Sequence, residues 1–229
     1  MKTVGIIGGL GPETTSVFYL KLISLLRERD KIRRPSILIF SIPIPLVAEK
    51  LFITRGKSRK VYLSLLIDAA RRLEKAGACF LVIPCNSVHI FIKEIRDSVK
   101  IPVLSIVEET AKVLEKKRVK KAGIIATPVT LDNRLYEVAL SSRGIAQYLP
   151  SKYSQDKIGV IIHNLVSGYI GEEEREGLMR VILDFKADKV KDIILACTDL
   201  QLVMPQNAGV KIHDTLEILA LASAKIMSE

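Results

Sequence analysis

Short runs of consecutive apolar, mostly β-branched residues alternate along this chain with longer stretches whose apolar positions recur at helical spacing. The runs that read as strands cover residues 3–8, 36–42, 80–84, 102–106, 121–126, 146–149, 192–196 and 210–213. Several, Val4-Gly5-Ile6-Ile7 and Ile193-Ile194-Leu195 among them, are apolar on successive positions. Such a strand is buried on both faces, as parallel strands covered by helices are. Between the runs, Leu63, Leu66, Ile67, Ala70 and Leu73 exemplify one apolar helix face. The alternation predicts an α/β fold with mostly parallel sheets.

The pattern also repeats. Val4-Gly5-Ile6-Ile7 returns as Ala122-Gly123-Ile124-Ile125, and the run from Phe80 through Pro84-Cys85-Asn86-Ser87 returns as that from Asp192 through Ala196-Cys197-Thr198-Asp199. Both echoes are offset by about half the chain, which points to a duplicated half-molecule. A length of 229 residues suits two compact domains of about 110 residues each. The expected division is an N-terminal α/β domain over residues 1–115 carrying Cys85 and a C-terminal one over 116–214 carrying Cys197. A final helix, 215–229, is expected to pack back on the first.

The net charge of +10 raises the question of a nucleic-acid partner. The basic residues are scattered among acids, however, and the densest runs, 27–34 and 116–121, fall at expected helix C-termini, where cations complement the helix dipole. Aromatic residues are few and do not interleave with them, so a stacking platform is missing. A small anionic substrate fits the charge better. No apolar run approaches the roughly 18 residues of a membrane span, and glycines interrupt the apolar N-terminus where a signal peptide would need its core. The chain reads as soluble and cytoplasmic, with no membrane partner.

Three cysteines without a CxxC cannot build a disulfide framework, and His89, His163 and His213 lack metal-ligand spacing. Cys79, just ahead of an apolar run, reads as core filler. Cys85 and Cys197 differ. Each directly follows an apolar strand and opens a polar turn, the place where ligands bind in parallel sheets. Asn86-Ser87 and Thr198-Asp199 supply helix-cap side chains there. Free N–H groups and a helix N-terminus would lower a thiol pKa from about 8.5. Either cysteine alone reads as a small buried hydrophobe; two at equivalent places read as a working pair. Two facing acid–base groups suit racemisation, which removes a proton from one face of a carbon and returns one to the other. The segment from Gly5 to Thr15 lacks the Lys of a P-loop and the GxGxxG spacing. It reads either as a loop whose backbone N–H groups hold a carboxylate or as a plain strand–helix turn.

Together these residues resemble the aspartate/glutamate racemase family over essentially the whole chain. Gly8-Gly9-Leu10-Gly11-Pro12 is similar to that family's GGMGP. Pro84-Cys85-Asn86-Ser87-Val88-His89 is similar to its PCNTAH, and Ala196-Cys197-Thr198-Asp199-Leu200 to its GCTEL. Ile124-Ile125-Ala126-Thr127 with Thr130 looks like its LLATTGT segment. The resemblance implies two flavodoxin-like halves related by a pseudo-twofold, with the site in the cleft between them. It further implies no pyridoxal phosphate, no metal, often a homodimer, and Cys85 and Cys197 as paired proton donor and acceptor. Leu10, Asn86, Ser87, Thr127, Thr198 and Asp199 would be substrate-binding. His89 either orients its segment or is a buried structural histidine.

The implied substrate is aspartate or a related acidic amino acid, and here the chain departs from the family. Aspartate racemases carry an Asp-Arg pair soon after the second strand. This segment reads Pro43-Ile44-Pro45-Leu46-Val47-Ala48-Glu49-Lys50, and the Lys of the family's Val-Lys-x-Gly is replaced in Val166-Ser167-Gly168. Either Lys50, Arg55 or Lys57 substitutes, or the substrate lacks a second carboxylate. The alternatives are a hydantoin- or glutamate-type racemase, an isomerase, or a non-catalytic small-molecule-binding homologue. A decarboxylase of this kind would need only one cysteine.

Overall fold

The computed structural model describes residues 1–29, 34–205 and 209–229. Part of the basic run 27–34 therefore lies outside the described residues. Among those described, no helix is long and apolar enough to cross a membrane.

Two parallel sheets organise the chain. In the first, β1 (Val4–Gly8) lies between β2 (Ile37–Ser41) and β3 (Phe80–Val82). In the second the order is β5 (Ala146–Tyr148), β4 (Lys121–Ala126), β6 (Asp192–Ala196), β7 (Lys211–Asp214). Each sheet puts the first strand of its half in the middle, flanked by the second and third. The predicted strand at 102–106 contracts to a single bridge, Val103 to Leu81. Pro102 has no N–H to give a ladder, and the Ser105 hydroxyl accepts from Glu108 N–H, turning the chain into a helix at Ile106. That bridge occupies the place in the first sheet that β7 fills in the second.

The doubly apolar strands are covered on both faces. β1 is buried throughout. Its outer side packs on α3 (Arg59–Lys75), where Leu66, Ala70 and Leu73 of the predicted face are buried together with Tyr62 and Ala69. A Cβ on Gly5 would stand 2.6 Å from a Leu81 side-chain carbon, and one on Gly123 would stand 2.7 Å from the Phe185 ring. Both central strands therefore need glycine at the echoed position for close packing. On the second sheet, α8 (Lys152–Val166) and α9 (Glu172–Ala187) form the equivalent outer layer.

The inner faces share one core. Val4 and Ile6 of β1 join the same apolar cluster as Ile124 of β4 and Ile194 of β6. α1 (Pro12–Arg29), α5 (Ile106–Lys116), α7 (Leu135–Ser141) and α10 (Thr215–Met227) complete it. α10 packs on α1 and α5, while α5 also packs on α7, so each half's last helix covers the other half. The helices start alike: Ser105 caps α5, and the Asp214 carboxylate accepts from the N–H groups of Leu216 and Glu217 at the start of α10.

Cys79 departs from its expected place in the core. It is exposed, because the chain alternates there and Ala78 and Phe80 take the inward positions.

Candidate active site

The two echoed segments leave their sheets at the same end. After β3 the chain turns through Pro84 and Cys85 into a 3-10 turn, Ser87–Phe91; after β6 it turns through Cys197 into another, Thr198–Val203. Backbone N–H groups of Ser87 and Val88 point at the Cys85 sulfur, and those of Asp199 and Leu200 at the Cys197 sulfur. The first loop, from Gly8 to Pro12, and the N-terminus of α6 (Pro128–Asp132) bring in Leu10 and Thr127. All eight residues singled out in the sequence line this one cleft: Cys85 and Cys197, with Leu10, Asn86, Ser87, Thr127, Thr198 and Asp199.

Hydrogen bonds across the cleft hold its walls together. Ser87 Oγ lies 2.8 Å from Thr127 Oγ1, which is 3.0 Å from Thr130 Oγ1. Thr198 donates to the Pro84 carbonyl at 3.2 Å, and Thr14 donates to Asp199 at 2.6 Å. Asn86 donates to Thr215 at 3.0 Å and accepts from the Tyr136 hydroxyl at 2.5 Å. None of Asn86, Ser87, Thr198 or Asp199 caps its 3-10 turn through its side chain, contrary to the sequence expectation. These groups bond across to the opposite half instead. Thr127 does cap, accepting from Thr130 N–H.

The glycine loop holds a carboxylate, but the chain's own. A Cβ on Gly11, whose φ is +82°, would meet Asp199 Oδ1 at 2.6 Å, so only glycine lets that carboxylate approach. The hydrogen bond comes from the Thr14 hydroxyl; the loop's Gly9 N–H is turned to Thr15 Oγ1.

The electrostatics reverse the expectation for the thiols. Burial, and then the Asp199 carboxylate, push the Cys85 thiol up to about 12 against the backbone N–H groups that favour its thiolate. The Cys197 thiol is raised by the same causes and contacts Asp199 Oδ2 at 3.9 Å. Two short 3-10 turns supply too few aligned dipoles to outweigh desolvation. Asp199 itself is raised by burial. His89 is neutral: burial lowers it to about 4. Its Nε2 accepts from Ile106 N–H at 3.1 Å, so its Nδ1–H donates to the Cys85 carbonyl at 2.8 Å.

The sequence reading missed a third wall. α2 (Leu46–Arg55) packs on α6 and α8 across the cleft and contributes Glu49, Phe52 and Ile53, while Tyr62 of α3 stacks on Phe52. Glu49 is raised to about 7 by burial, then by Asp199 and Glu13. Of the basic residues proposed as substitutes, Lys50 lines only an outer cavity, and Arg55 and Lys57 line neither cavity. Among the described residues no His, Cys, Asp and Glu side chains cluster as metal ligands.

Residues 7–222 match the Asp/Glu/hydantoin racemase family. The chain is 29% identical over 222 residues to the broad specificity amino-acid racemase RacX of Bacillus subtilis (strain 168), spanning 95% of this chain and 94% of that one. Its fold is similar to that of an aspartate racemase homologue from Pyrococcus horikoshii OT3, with a TM-score of 0.80, 28% identity and full coverage of both chains. It is similar also to the Picrophilus torridus aspartate racemase, with a TM-score of 0.83, 25% identity, and coverage of 100% of this chain and 95% of that one.

Proposed function

Because the chain belongs to the Asp/Glu/hydantoin racemase family, we propose that it racemises an α-amino acid by proton exchange between Cys85 and Cys197. The observation that carries this reading is the convergence of two thiols, from equivalent strand ends of the two halves, on one cleft. An α-carbon seated between them presents one face to each sulfur. One cysteine, as thiolate, takes the α-proton; the other, as thiol, returns a proton to the opposite face. The roles exchange with the direction of reaction.

Before substrate binds, both thiols hold their protons, since burial and Asp199 disfavour a thiolate. The substrate's α-ammonium brings the compensating positive charge. The contact from Cys197 to Asp199 Oδ2 gives the departing thiol proton an acceptor. Ser87 and Thr127 line the cleft with hydroxyls that can turn toward the α-carboxylate, and Leu10 and Phe52 exclude water around the carbanionic transition state. Thr198, which donates to the Pro84 carbonyl, holds the two cysteine segments together.

The test is deuterium exchange at the α-carbon. Protein in D2O with a panel of L-amino acids should yield α-deuterated D-product by proton NMR and chiral chromatography. Cys85→Ser and Cys197→Ser should each cut racemisation by at least about 1,000-fold while the melting temperature holds. Undiminished racemisation by either variant would overturn the two-thiol reading.

A further inference from the structure

Outside the thiol cleft lies a larger cavity of about 600 Å³, and the two share Glu49 and Asp199 in their walls. These carboxylates therefore stand on the way from the sulfurs to the outer space. Among the described residues no lysine or arginine lines the inner cleft; the outer one has Lys50, which is exposed to solvent.

The Glu49 carboxylate is partly buried and has no hydrogen-bond or ion-pair partner among the described residues. Asp199 and Glu13 raise Glu49, and Glu49 in turn raises Cys85 and the Tyr62 hydroxyl; all four are acidic groups. In the outer wall, the Ser167 hydroxyl is also buried without a partner. An unpaired carboxylate partly withdrawn from water is costly until a cation arrives. A substrate carboxylate in the same place would face Glu49, Asp199 and Glu13 together.

Resting on the racemase reading above, we infer that the substrate's side chain is cationic, of the lysine, ornithine or arginine class, and that Glu49 selects it. With the α-carbon between the sulfurs, a long side chain passes Asp199 and pairs its ammonium or guanidinium with Glu49. Its remaining donors reach toward Ser167 in the outer cavity. The acidic substrate suggested by the resemblance gives way to one of opposite charge, because the chain presents an acid where a cation would be needed.

The experiment measures α-proton exchange in D2O by the full chain on L-lysine, L-ornithine, L-arginine, L-norleucine, L-aspartate and L-glutamate. Norleucine matches the lysine chain in length and lacks the charge. kcat/KM should be at least about ten-fold higher on the best cationic substrate than on norleucine, aspartate or glutamate. Glu49→Gln should cut the lysine-to-norleucine ratio at least about ten-fold, with folding checked by the melting curve. Faster exchange on aspartate, glutamate or norleucine would overturn the inference while leaving the racemase reading in place. So would an unchanged ratio in Glu49→Gln. Exchange on none of the six, followed by none across the remaining amino acids, would tell against the racemase reading itself and remove this inference with it.

Discussion

The Thr14 hydroxyl donates to the Asp199 carboxylate at 2.6 Å, joining residues 185 positions apart in the chain. The bond fastens the first turn of α1 to the turn that carries Cys197. Asp199 is raised by burial, and Thr14 is the group that most offsets that rise.

Replacing Thr14 by the near-isosteric Val leaves this carboxylate without its closest donor. The expected cost is about 1–3 kcal/mol of folding stability. The sign with pH follows from the lost stabilisation of the ionised form. Folded Asp199 in the variant binds its proton more tightly, so the deficit grows as pH rises through the carboxylate range. Urea unfolding at pH 8 should show a larger loss than at pH 4. Equal losses would mean that Thr14 acts by packing alone.

Much of this architecture was legible because buried parallel strands and their following turns are local patterns. β1, β3, β4 and β6 stand out as apolar runs, and the glycine loop and both cysteine segments fall where β1, β3 and β6 end. Cys79 and residues 102–106 misled for local reasons, an alternation and a proline, that an apolar count does not see. Glu49, Phe52 and Tyr62 escaped for a different reason. Their role depends on α2 being pressed against the second half, a contact between segments far apart in sequence, with Tyr62 stacked behind it on Phe52. The sequence carries one clue to Glu49: the segment that lacks the family's arginine has this acid in it. The reversal of the thiol pKa was equally hidden, since desolvation depends on the whole surrounding fold.

His89 offers a second pH test. Its folded-state value of about 4 lies below the unfolded 6.5, so the unfolded chain binds more protons between those pH values. Stability should fall as pH drops from about 6.5 to 4, by about 3 kcal/mol from this residue. His89→Gln, which keeps one donor and one acceptor, should flatten that part of the stability profile. It should also lower kcat more than it raises KM, because the ring holds the Cys85 carbonyl to the start of α5. An unchanged profile in the variant would assign the acid sensitivity to other groups.

The thiols should separate cleanly in their reactivity. Cys79 is exposed, whereas Cys197 is buried and Cys85 sits at about 12. Since the thiolate is the nucleophile, a limiting amount of iodoacetamide at pH 8 should label Cys79 first. Peptide mass spectrometry reads this directly. Cys79→Ser should remove the fast phase and leave racemisation intact. Faster labelling of Cys85 would show a thiolate in the substrate-free protein and undo the account of substrate-induced ionisation.

Glu49 gives the opposite pH signature to His89. Its folded value of about 7 lies above the ordinary 4.5, owing to burial and to Asp199 and Glu13. Between those values the folded chain holds more protons than the unfolded one. The contribution of protonated Glu49 is thus fully present below about pH 4.5 and is lost as pH rises through about 7. Glu49→Gln carries no charge at any pH, so it should melt above the wild type at pH 8 and level with it at pH 4. A cationic ligand should shrink the gap at pH 8 by stabilising the wild type alone, which thermal melts with added L-lysine would read. If Glu49→Gln melts below the wild type at pH 8, the carboxylate is already paired in the folded protein and is not waiting for a cation.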